Sequence, residues 1–380
     1  MEVVLMITRI KKIVKEQGHD MSLVLASWII PKNKHQYVFT SGGGKSYNGS
    51  PKYLMEYMNP LEKCVFLVND RGLMYELRLK GINARYTYSL SSWWATVRAN
   101  SLIIDNGLRG IFGYGILARF GRFHIVQTWH GTGIKGKIQL HGLDKIISKW
   151  IQKSYSVILA SSELHKEIMK KHFDTDSVVI TGSPRNDLLI NKTKWVDTIG
   201  LSKYDKVFLY APTFRDRLHQ TPFNMDFLTE LNDWLKKMNY VFVLKRHPND
   251  KTFPLSITEN IIDISTHQDI QQVLPFVDVL ITDYSSIITD FMLLERPVII
   301  YPYDNEEYES VRPHYASLDT LPGPIVTNEK ELFEMMKNEK YFKTRKYKED
   351  YERSLELWNA YRDGKSCKRA YEIAKRKVTE

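Results

Sequence analysis

Apolar residues follow two patterns along this chain: short runs of Val, Ile, Leu and Phe, and longer stretches in which apolar positions recur at helical spacing. From about residue 37 the two patterns alternate. Short apolar runs are typical of buried strands, and their alternation with helices predicts parallel sheets that are covered on both faces. Strands are predicted at 37–40, 65–68, 102–105, 125–128, 157–160 and 178–181.

The same alternation starts again near residue 200. A length of 380 residues exceeds what one typical core needs and suits two domains. We therefore predict an α/β fold of two Rossmann-like, doubly wound domains that face a cleft, one at 35–198 and one at 199–338. The second domain is predicted to have a helix at 223–237 and strands at 207–210, 241–245, 261–264, 279–282 and 298–301.

The two ends of the chain lie outside this alternation. In residues 1–34, Val3, Ile7, Ile10 and Val14 recur at helical spacing and an apolar run follows. Such an amphipathic segment can lie in a membrane interface or pack as a helix on its own domain, and both interpretations are open. Residues 339–380 carry 13 Lys and Arg against 8 Asp and Glu, with regularly spaced aromatic residues, which favours a basic tail of two docked helices.

The charge balance indicates an anionic partner, because the formal net charge is +10. Nucleic acid, an anionic membrane surface and phosphorylated substrates are the classes that this charge favours. No recognised nucleic-acid-binding module occurs, so no nucleic-acid partner is predicted.

Only two cysteines occur, Cys64 and Cys367, which favours a reduced, cytosolic location. No run of 18 apolar residues and no signal-peptide cleavage site is evident, so neither a membrane span nor secretion is predicted.

Polar motifs follow five of the predicted strands. Ligands of open parallel sheets bind outside the carboxyl ends of the strands, so the five motifs should face one cleft. The GGGKS sequence after the first strand lacks the glycine that a P-loop needs at Phe39, and it is interpreted as a flexible loop. The motifs are TWHGTGIKGK at 128–137, GSPRND at 182–187, APTFRD at 211–216, KRHPND at 245–250 and TDYSS at 282–286.

The TDYSS motif lies where a strand ends and an apolar helix begins. Asp283, Ser285 and Ser286 can cap the free N–H groups of that helix, and the same N–H groups can bind a phosphate. Asp290, one helical turn after Ser286, can accept a hydrogen bond from a sugar hydroxyl. An ordinary capped turn, and an exposed or capping acid at Asp290, are the alternatives.

Histidine and arginine side chains in the other motifs suit phosphate chemistry. His130 precedes glycines that allow a substrate to approach closely, and histidine can accept a proton near neutral pH, although a lone histidine is more often structural. His247 follows Arg246, a neighbour that suits phosphate oxygens. Arg185 and Arg215 can each form a bidentate contact with phosphate.

Metal chemistry has weaker support in the sequence. Asp174 and Asp176 form a DxD pair, but they precede a predicted strand and so lie at the wrong sheet edge. We interpret the pair as a turn, and neither a metal site nor a cofactor is predicted.

In this order, the motifs TWHGT, SPRND, APTFRD, RHP, TDYSS and RPVIIYPYDNEEY resemble those of the CDP-glycerol glycerophosphotransferases of wall teichoic acid synthesis, over about residues 35–335. The resemblance implies a GT-B-like fold in which the second domain binds the CDP donor and the first faces the acceptor. It implies transfer of glycerol phosphate from CDP-glycerol to a lipid-linked acceptor, an undecaprenyl-diphosphate-linked disaccharide, with release of CMP. Such an enzyme would act peripherally on the cytoplasmic side of the cell membrane.

The resemblance also assigns roles to residues, with His130 and His247 expected to be essential to the chemistry. The side-chain arguments above add Arg215 and Asp283 as candidate substrate-binding residues. The remaining substrate-binding residues that the resemblance implies are Gly131, Thr132, Gly133, Ile134, Arg185, Pro212, Thr213, Lys245, Arg246, Ser285, Ser286 and Asp290.

Two departures from the family pattern occur: Gly133 stands where proline is usual, and SPRND replaces GYPRND. The chain also lacks the long N-terminal extension of the large polymerases, so we expect a primase-like enzyme that adds one or few units. The alternatives are CDP-ribitol as the donor, a capsule polymer as the product, and a GT-B glycosyltransferase that uses a UDP-sugar.

Overall fold

A computed structural model of the chain describes residues 2–113, 115–134, 142–213, 215, 221–246, 258–311 and 314–376. All strand pairings in these residues are parallel. The described strands are β1 (Asn33–Thr40), β2 (Lys63–Val68), β3 (Ala84–Tyr86), β4 (Ala99–Ile104), β5 (Ile125–Gln127), β6 (Val157–Ala160), β7 (Val178–Ile180), β8 (Lys206–Tyr210), β9 (Tyr240–Leu244), β10 (Ile261–Asp263), β11 (Val279–Thr282) and β12 (Val298–Ile300).

The strands form two sheets. The first has the order β3-β2-β1-β4-β5-β6-β7 and the second has the order β10-β9-β8-β11-β12. The predicted α/β class is confirmed, and each predicted strand is present. β3 is an additional edge strand that the sequence pattern did not indicate.

Helices connect most of the strands, and the predicted helix at 223–237 is confirmed at Met225–Met238. The described helices are α1 (Glu2–Ile29), α2 (Gly49–Met58), α3 (Arg71–Leu79), α4 (Leu90–Arg98), α5 (Gly142–Gln152), α6 (Glu163–Phe173), α7 (Asp187–Ile190), α8 (Met225–Met238), α9 (Ile287–Phe291), α10 (Asn305–Val311), α11 (Glu329–Lys337), α12 (Arg345–Trp358) and α13 (Ser366–Ala374).

Both faces of each sheet are buried, which explains why the strands are continuous apolar runs. Phe39 of β1 packs in one core cluster with Phe66 of β2, whereas its neighbour Val38 packs in another cluster with Val65. Successive side chains of a strand point to opposite faces, so both faces of the sheet bury apolar surface. The second sheet divides its apolar residues between two clusters in the same way.

The N-terminal segment is the single helix α1, whose side chains are described from Glu16 onward. The predicted apolar face at 3–14 therefore lies outside the described side chains. Leu23 and Val24 are buried in the core of the first domain. The opposite face exposes Leu25 by 59% and Trp28 by 61%. The end of α1 thus packs on its own domain on one face and presents apolar surface on the other.

The two helices predicted for the C-terminal tail are present, but each packs on a different sheet. Tyr351 of α12 donates from its hydroxyl to the Met292 carbonyl at 3.2 Å, beside the second sheet. α13 returns to the first sheet, where the Asp187 carboxylate accepts hydrogen bonds from the backbone N–H groups of Ser366 and Cys367 at 2.8 and 2.7 Å. The tail therefore connects the two domains. No helix among the described residues combines the length and apolar character needed to cross a membrane.

Candidate functional site

The loop after β5 and the turn after β11 meet at the carboxyl edges of the two sheets. A Cβ atom on Gly131 would lie 2.2 Å from Ser286 Oγ, and one on Gly133 would lie 3.1 Å from Ser286 Cα. The sequence predicted that these glycines let a substrate approach, and in the structure it is Ser286 that approaches them. A proline at position 133 would carry that same Cβ, so glycine allows the closer contact here.

Each successive part of the loop at 128–134 is fixed by a different neighbour. Arg185 Nη1 donates to the His130 carbonyl at 2.7 Å, and Thr289 Oγ1 donates to the Thr132 carbonyl at 2.7 Å. The buried Ile134 accepts a hydrogen bond at its carbonyl from the backbone N–H of Tyr315 at 2.6 Å. The His130 residue is exposed. A fixed backbone therefore presents this imidazole to the solvent side of the cleft.

Arg185 and Asp290 form a buried ion pair across the domain boundary, with 2.7 Å between Nη2 and Oδ2. Gln271 Nε2 donates to the same carboxylate at 2.8 Å. Asp290 is 3% exposed, so the interpretation of an exposed acid is wrong. Contact of Asp290 with a sugar hydroxyl, and of Arg185 with phosphate, remain predictions, since each group already has a charged partner in this arrangement.

Arg215 lies in a buried network instead of at the surface of the cleft. Its Nε and Nη2 donate to the Asp304 carboxylate at 2.6 and 2.7 Å, and Nη2 lies 2.8 Å from Asp283 Oδ2. Burial by itself would lower the pKa of Arg215, but the two carboxylates raise it well above its usual value. Asp283 also accepts the backbone N–H of Thr213 at 2.9 Å. The network fastens the segment containing Pro212 and Thr213 to the TDYSS turn, and a phosphate contact by Arg215 remains a prediction that requires these ion pairs to open.

The helix predicted after the TDYSS turn is present and short. α9 has five residues, and Ser286 at its N-cap position makes no side-chain capping hydrogen bond. The contact from the Ile287 N–H to Ser285 Oγ is long, at 3.5 Å. The interpretation of Ser285 and Ser286 as an ordinary capping pair is therefore weak. Both residues are half-buried, and Ser286 lies at the contact with Gly131 and Gly133 of the first domain.

Lys245 and Arg246 follow β9 at the same edge of the second sheet. Lys245 Nζ donates to the carbonyls of Ser265 and His267 at 2.9 and 2.7 Å, and burial lowers the pKa of Lys245. Arg246 pairs with Asp263 at 2.5 Å. His247, the second residue expected to be essential, lies outside the described residues.

The Gly-rich loop after β1 encloses a carboxylate from its own domain. Ser41 Oγ donates to Asp105 Oδ2 at 2.6 Å, and the Gly42 N–H donates to Asp105 Oδ1 at 3.0 Å. Burial raises the pKa of Asp105. Because a protein carboxylate accepts these donors, the structure gives no support to a P-loop at this position.

The family model described as CDP-Glycerol:Poly(glycerophosphate) glycerophosphotransferase matches residues 22–374. The chain belongs to this family. It is 29% identical over 362 residues to a teichoic acid glycerol-phosphate transferase of Staphylococcus aureus, which covers 86% of this chain and 89% of that protein. It is 28% identical over 342 residues to a teichoic acid poly(glycerol phosphate) polymerase of Staphylococcus epidermidis, which covers 79% of this chain and 45% of that protein. The chain thus spans less than half of the polymerase.

Solved structures resemble the fold of the chain. A structure of the wall teichoic acid polymerase TagF matches with a TM-score of 0.77 and 24% identity, over 97% of this chain and 96% of that one. A UDP co-structure of MnaA from S. aureus matches with a TM-score of 0.51 and 14% identity, over 88% of this chain and 94% of that one. These likenesses confirm the predicted GT-B-like fold.

Sequence reasoning missed a second buried link between the two domains of the chain. Lys52 Nζ and the Tyr53 hydroxyl, both from α2, donate to Asp269 Oδ2 at 2.7 and 2.8 Å. All three side chains are buried. No sequence signal identifies this link, because Lys52 and Asp269 are 217 positions apart.

His165 was also missed, although it supports the loop that carries His130. Its Nδ1 accepts the backbone N–H of Ser161 at 3.1 Å and lies 3.2 Å from Thr132 Oγ1. Burial, with a smaller effect from Arg185, lowers the pKa of His165 to about 3. The ring is therefore neutral at physiological pH and acts as a hydrogen-bond acceptor beneath the loop.

Proposed function

We propose that this chain transfers glycerol phosphate from CDP-glycerol to a lipid-linked acceptor and releases CMP. The observation that carries the proposal is the contact between the His130 loop of the first domain and the Ser285–Ser286 turn of the second. This contact joins a candidate proton acceptor to a candidate phosphate-binding turn, inside a chain that the family match covers at 22–374. The first domain then serves the acceptor and the second the CDP donor.

In this proposal an acceptor hydroxyl attacks the β-phosphorus of CDP-glycerol. A new oxygen–phosphorus bond forms as the bond from the β-phosphorus to the bridging oxygen breaks, and that oxygen leaves with CMP. His130 takes the proton from the attacking hydroxyl, a role that positioned histidines perform near neutral pH. Ser285 and Ser286 bind the donor diphosphate, and His247 stabilises the charge that develops on the transferred or departing phosphate.

A primase-like reaction that adds one or few units is the version that we favour. The support is the likeness to the S. aureus glycerol-phosphate transferase and to a teichoic acid glycerol-phosphate primase of Bacillus subtilis, which is 30% identical over 63% of this chain. A poly(glycerol phosphate) polymerase of Bacillus spizizenii also matches, at 25% identity over 85% of this chain, so the length of the product is a point for experiment. Ribitol-phosphate polymerases match at 31–32% identity, yet over only 57% of this chain. Transfer from CDP-ribitol is therefore the second candidate.

The decisive experiment measures CMP and the mass of the product. The protein is incubated with CDP-glycerol or CDP-ribitol, each with and without a lipid-linked disaccharide. We expect CMP only when CDP-glycerol and the acceptor are both present, with a product heavier by one or few glycerol phosphate units. Turnover with CDP-ribitol but not with CDP-glycerol would favour the second candidate. Release of UDP from UDP-sugars would favour a glycosyltransferase. A long polymer would contradict the primase-like version.

We further propose that the enzyme binds peripherally to the cytoplasmic face of the membrane. The support is a surface that we call the aromatic patch, which consists of Trp28, Arg119, Phe120, Arg122 and Trp150. Trp28 Nε1 donates to the Phe120 carbonyl at 2.8 Å, and the Trp28 and Phe120 residues are 61% and 52% exposed.

Basic groups lie directly over the rings of the aromatic patch. Arg122 lies 5.6 Å from the Trp28 ring, and Arg119 lies 4.7 Å from the Trp150 ring. Aromatic rings settle at the interface between lipid headgroups and acyl chains, and arginines beside them bind anionic headgroups.

A further inference from the structure

Trp129, immediately before His130, has a backbone conformation that a bulky residue rarely adopts. Its φ is 57°, in the left-handed region. The described chain has three other non-glycine residues with positive φ, Asp174, Asn239 and Glu295, and each of them ends a helical segment. Trp129 instead lies in the loop after β5. The left-handed region is sterically unfavourable for an aromatic residue, so the surrounding structure must hold it there.

Gln127, the last residue of β5, is placed to hold this conformation. It is 0% exposed, and its Oε1 accepts the backbone N–H of Trp129 at 2.9 Å. Its Nε2 donates to the Asn106 carbonyl at 2.9 Å, beyond the end of the neighbouring strand. The intervening Thr128 continues the strand pairing through its N–H, which donates to the Ile104 carbonyl at 2.7 Å. Both ends of the amide are thus anchored, and the direction of the Trp129 N–H is fixed.

The left-handed conformation of Trp129 determines where the Trp129 and His130 rings lie. The Trp129 ring packs at 5.1 Å from the Phe173 ring and at 4.2 Å from the His130 ring. The His130 carbonyl on the far side of the turn is held by Arg185. We infer that Gln127 is a positioning residue, which sets the location of the His130 imidazole through the backbone of Trp129. Its kinetic consequence rests on the proposed role of His130.

The test replaces Gln127 and a matched glutamine in the full-length protein. Gln127→Met keeps the length of the side chain and removes its hydrogen bonds to Trp129 and Asn106. Gln36→Met is the control, because Gln36 is also buried in the first sheet, at 3% exposure, and donates from Nε2 to the Ala95 carbonyl at 2.6 Å. With CDP-glycerol and lipid-linked disaccharide, we expect Gln127→Met to lower kcat by about 10- to 100-fold, as misplaced catalytic groups do. The KM for the donor should stay within about twofold, and Gln36→Met should keep wild-type kcat.

A spectroscopic measurement separates positioning from activity. In protein labelled at histidine, the His130 resonance is assigned by its loss in His130→Ala. The Trp129 ring current acts on it at 4.2 Å. We expect Gln127→Met to shift this resonance and Gln36→Met to leave it unchanged. A shifted resonance in a protein without glycerophosphotransferase activity would uphold the positioning and refute the proposed function. An unchanged resonance with wild-type kcat would overturn the inference.

If Gln127→Met does not fold, the Trp129→Gly background keeps the inference testable. Glycine adopts positive φ without steric cost, so the hydrogen bond from residue 129 to Gln127 is less needed to maintain the positive φ at that position. We expect the double variant to fold and to lose less than about threefold in kcat relative to Trp129→Gly alone. A full 10- to 100-fold loss in that background would refute the inference.

Discussion

Arg185 and Asp290 join the two domains through an ion pair of 2.7 Å, with side chains that are 11% and 4% exposed. Arg185 follows β7 of the first sheet, and Asp290 lies in α9 beside the second. The same guanidinium donates from Nη1 to the His130 carbonyl at 2.7 Å. One arginine therefore couples the contact between the domains to the loop that carries the candidate proton acceptor.

Breaking this pair should destabilise the protein strongly. We expect Asp290→Asn to lower the free energy of unfolding by about 3–5 kcal/mol, because it leaves the Arg185 charge buried without its partner. Urea unfolding measures the change. Glu349→Gln is the control, since its pair with Arg345 has side chains that are 60% and 92% exposed, and exposed pairs contribute less than about 1 kcal/mol. Equal effects of the two substitutions would show that the interdomain pair contributes no more than a surface pair.

The contact between Gly131 and Ser286 should be sensitive to a single methyl group. We expect Gly131→Ala to lower kcat by at least about tenfold, because its Cβ would lie 2.2 Å from Ser286 Oγ and push the loop away. Gly107→Ala is the control, since nothing lies within 4 Å of a Cβ there and the φ is −65°.

A double-mutant cycle tests whether the effect of Gly131→Ala arises at this contact. Ser286→Gly removes the atoms that the new methyl group meets, so Gly131→Ala should cost much less kcat in that background. The same loss in both backgrounds would place its cause elsewhere in the loop.

The strand pattern predicted the fold well because strands buried on both faces must be apolar throughout. β3 was missed because it is a three-residue edge strand with Arg85 at its centre. The end of the helix after TDYSS could not be predicted from the pattern, because apolar residues continue to Leu294. The structure changes to a 3₁₀ turn at Met292 and ends at Glu295, which has a φ of 55°.

The site was predicted less completely than the fold, for a physical reason. Strand ends placed the five motifs at one edge, but sequence does not show which charges pair with each other. In a sequence, an arginine that binds phosphate looks the same as an arginine that pairs with a carboxylate. The pairing of Arg215 with Asp304 and of Arg185 with Asp290 could therefore not be predicted. The left-handed conformation of Trp129 could not be predicted from the sequence either, because tryptophan disfavours that conformation.

His165 should make the protein less stable in acid. The folded pKa is about 3, lowered mainly by burial, against an ordinary value of 6.5. Below pH 6.5 the unfolded chain takes up a proton that the folded chain excludes, so stability is lost as the pH falls from 6.5 towards 3. The slope for one proton is about 1.4 kcal/mol per pH unit.

We expect His165→Asn to remove this contribution while an amide oxygen replaces the acceptor at Nδ1. Unfolding free energies between pH 7.5 and pH 4.5 give the slopes. His35→Asn, at a side chain that is 63% exposed, is the control and should retain the wild-type acid slope because His165 is still present. Identical slopes for the wild type and His165→Asn would mean that the His165 pKa is not lowered.

The aromatic patch should bind anionic vesicles in a salt-dependent way. Each arginine near an anionic leaflet contributes about 1 kcal/mol, and salt at 0.1 M screens charges beyond about 10 Å. We expect Trp28→Ser and Arg122→Gln each to weaken cosedimentation with phosphatidylglycerol vesicles. Leu79→Ser is the control, because Leu79 is 90% exposed on α3, which packs on β2 and β3. Wild-type binding that does not depend on the salt concentration, or an equal loss of vesicle binding in all three variants, would contradict a role for the patch.

The two candidate histidines should separate kinetically. If His130 removes the proton of the attacking hydroxyl, His130→Ala lowers kcat by about 10²–10⁴-fold and leaves the Kd for CDP-glycerol nearly unchanged. The acidic limb of the pH–rate profile should then flatten, because the group whose deprotonation it reports is gone. His247 is proposed to stabilise phosphate charge, so His247→Ala should lower kcat and also raise that Kd. Calorimetry with CDP-glycerol and rates from pH 5.5 to 9 provide both measurements.

His172→Ala is a suitable control, since this ring packs at 5.0 Å from Trp129 in the same aromatic group and has no proposed chemical role. Wild-type turnover in His130→Ala, or a loss of activity that follows the loss of donor binding, would make His130 a binding residue and leave the proton acceptor to be found among the other groups at this edge.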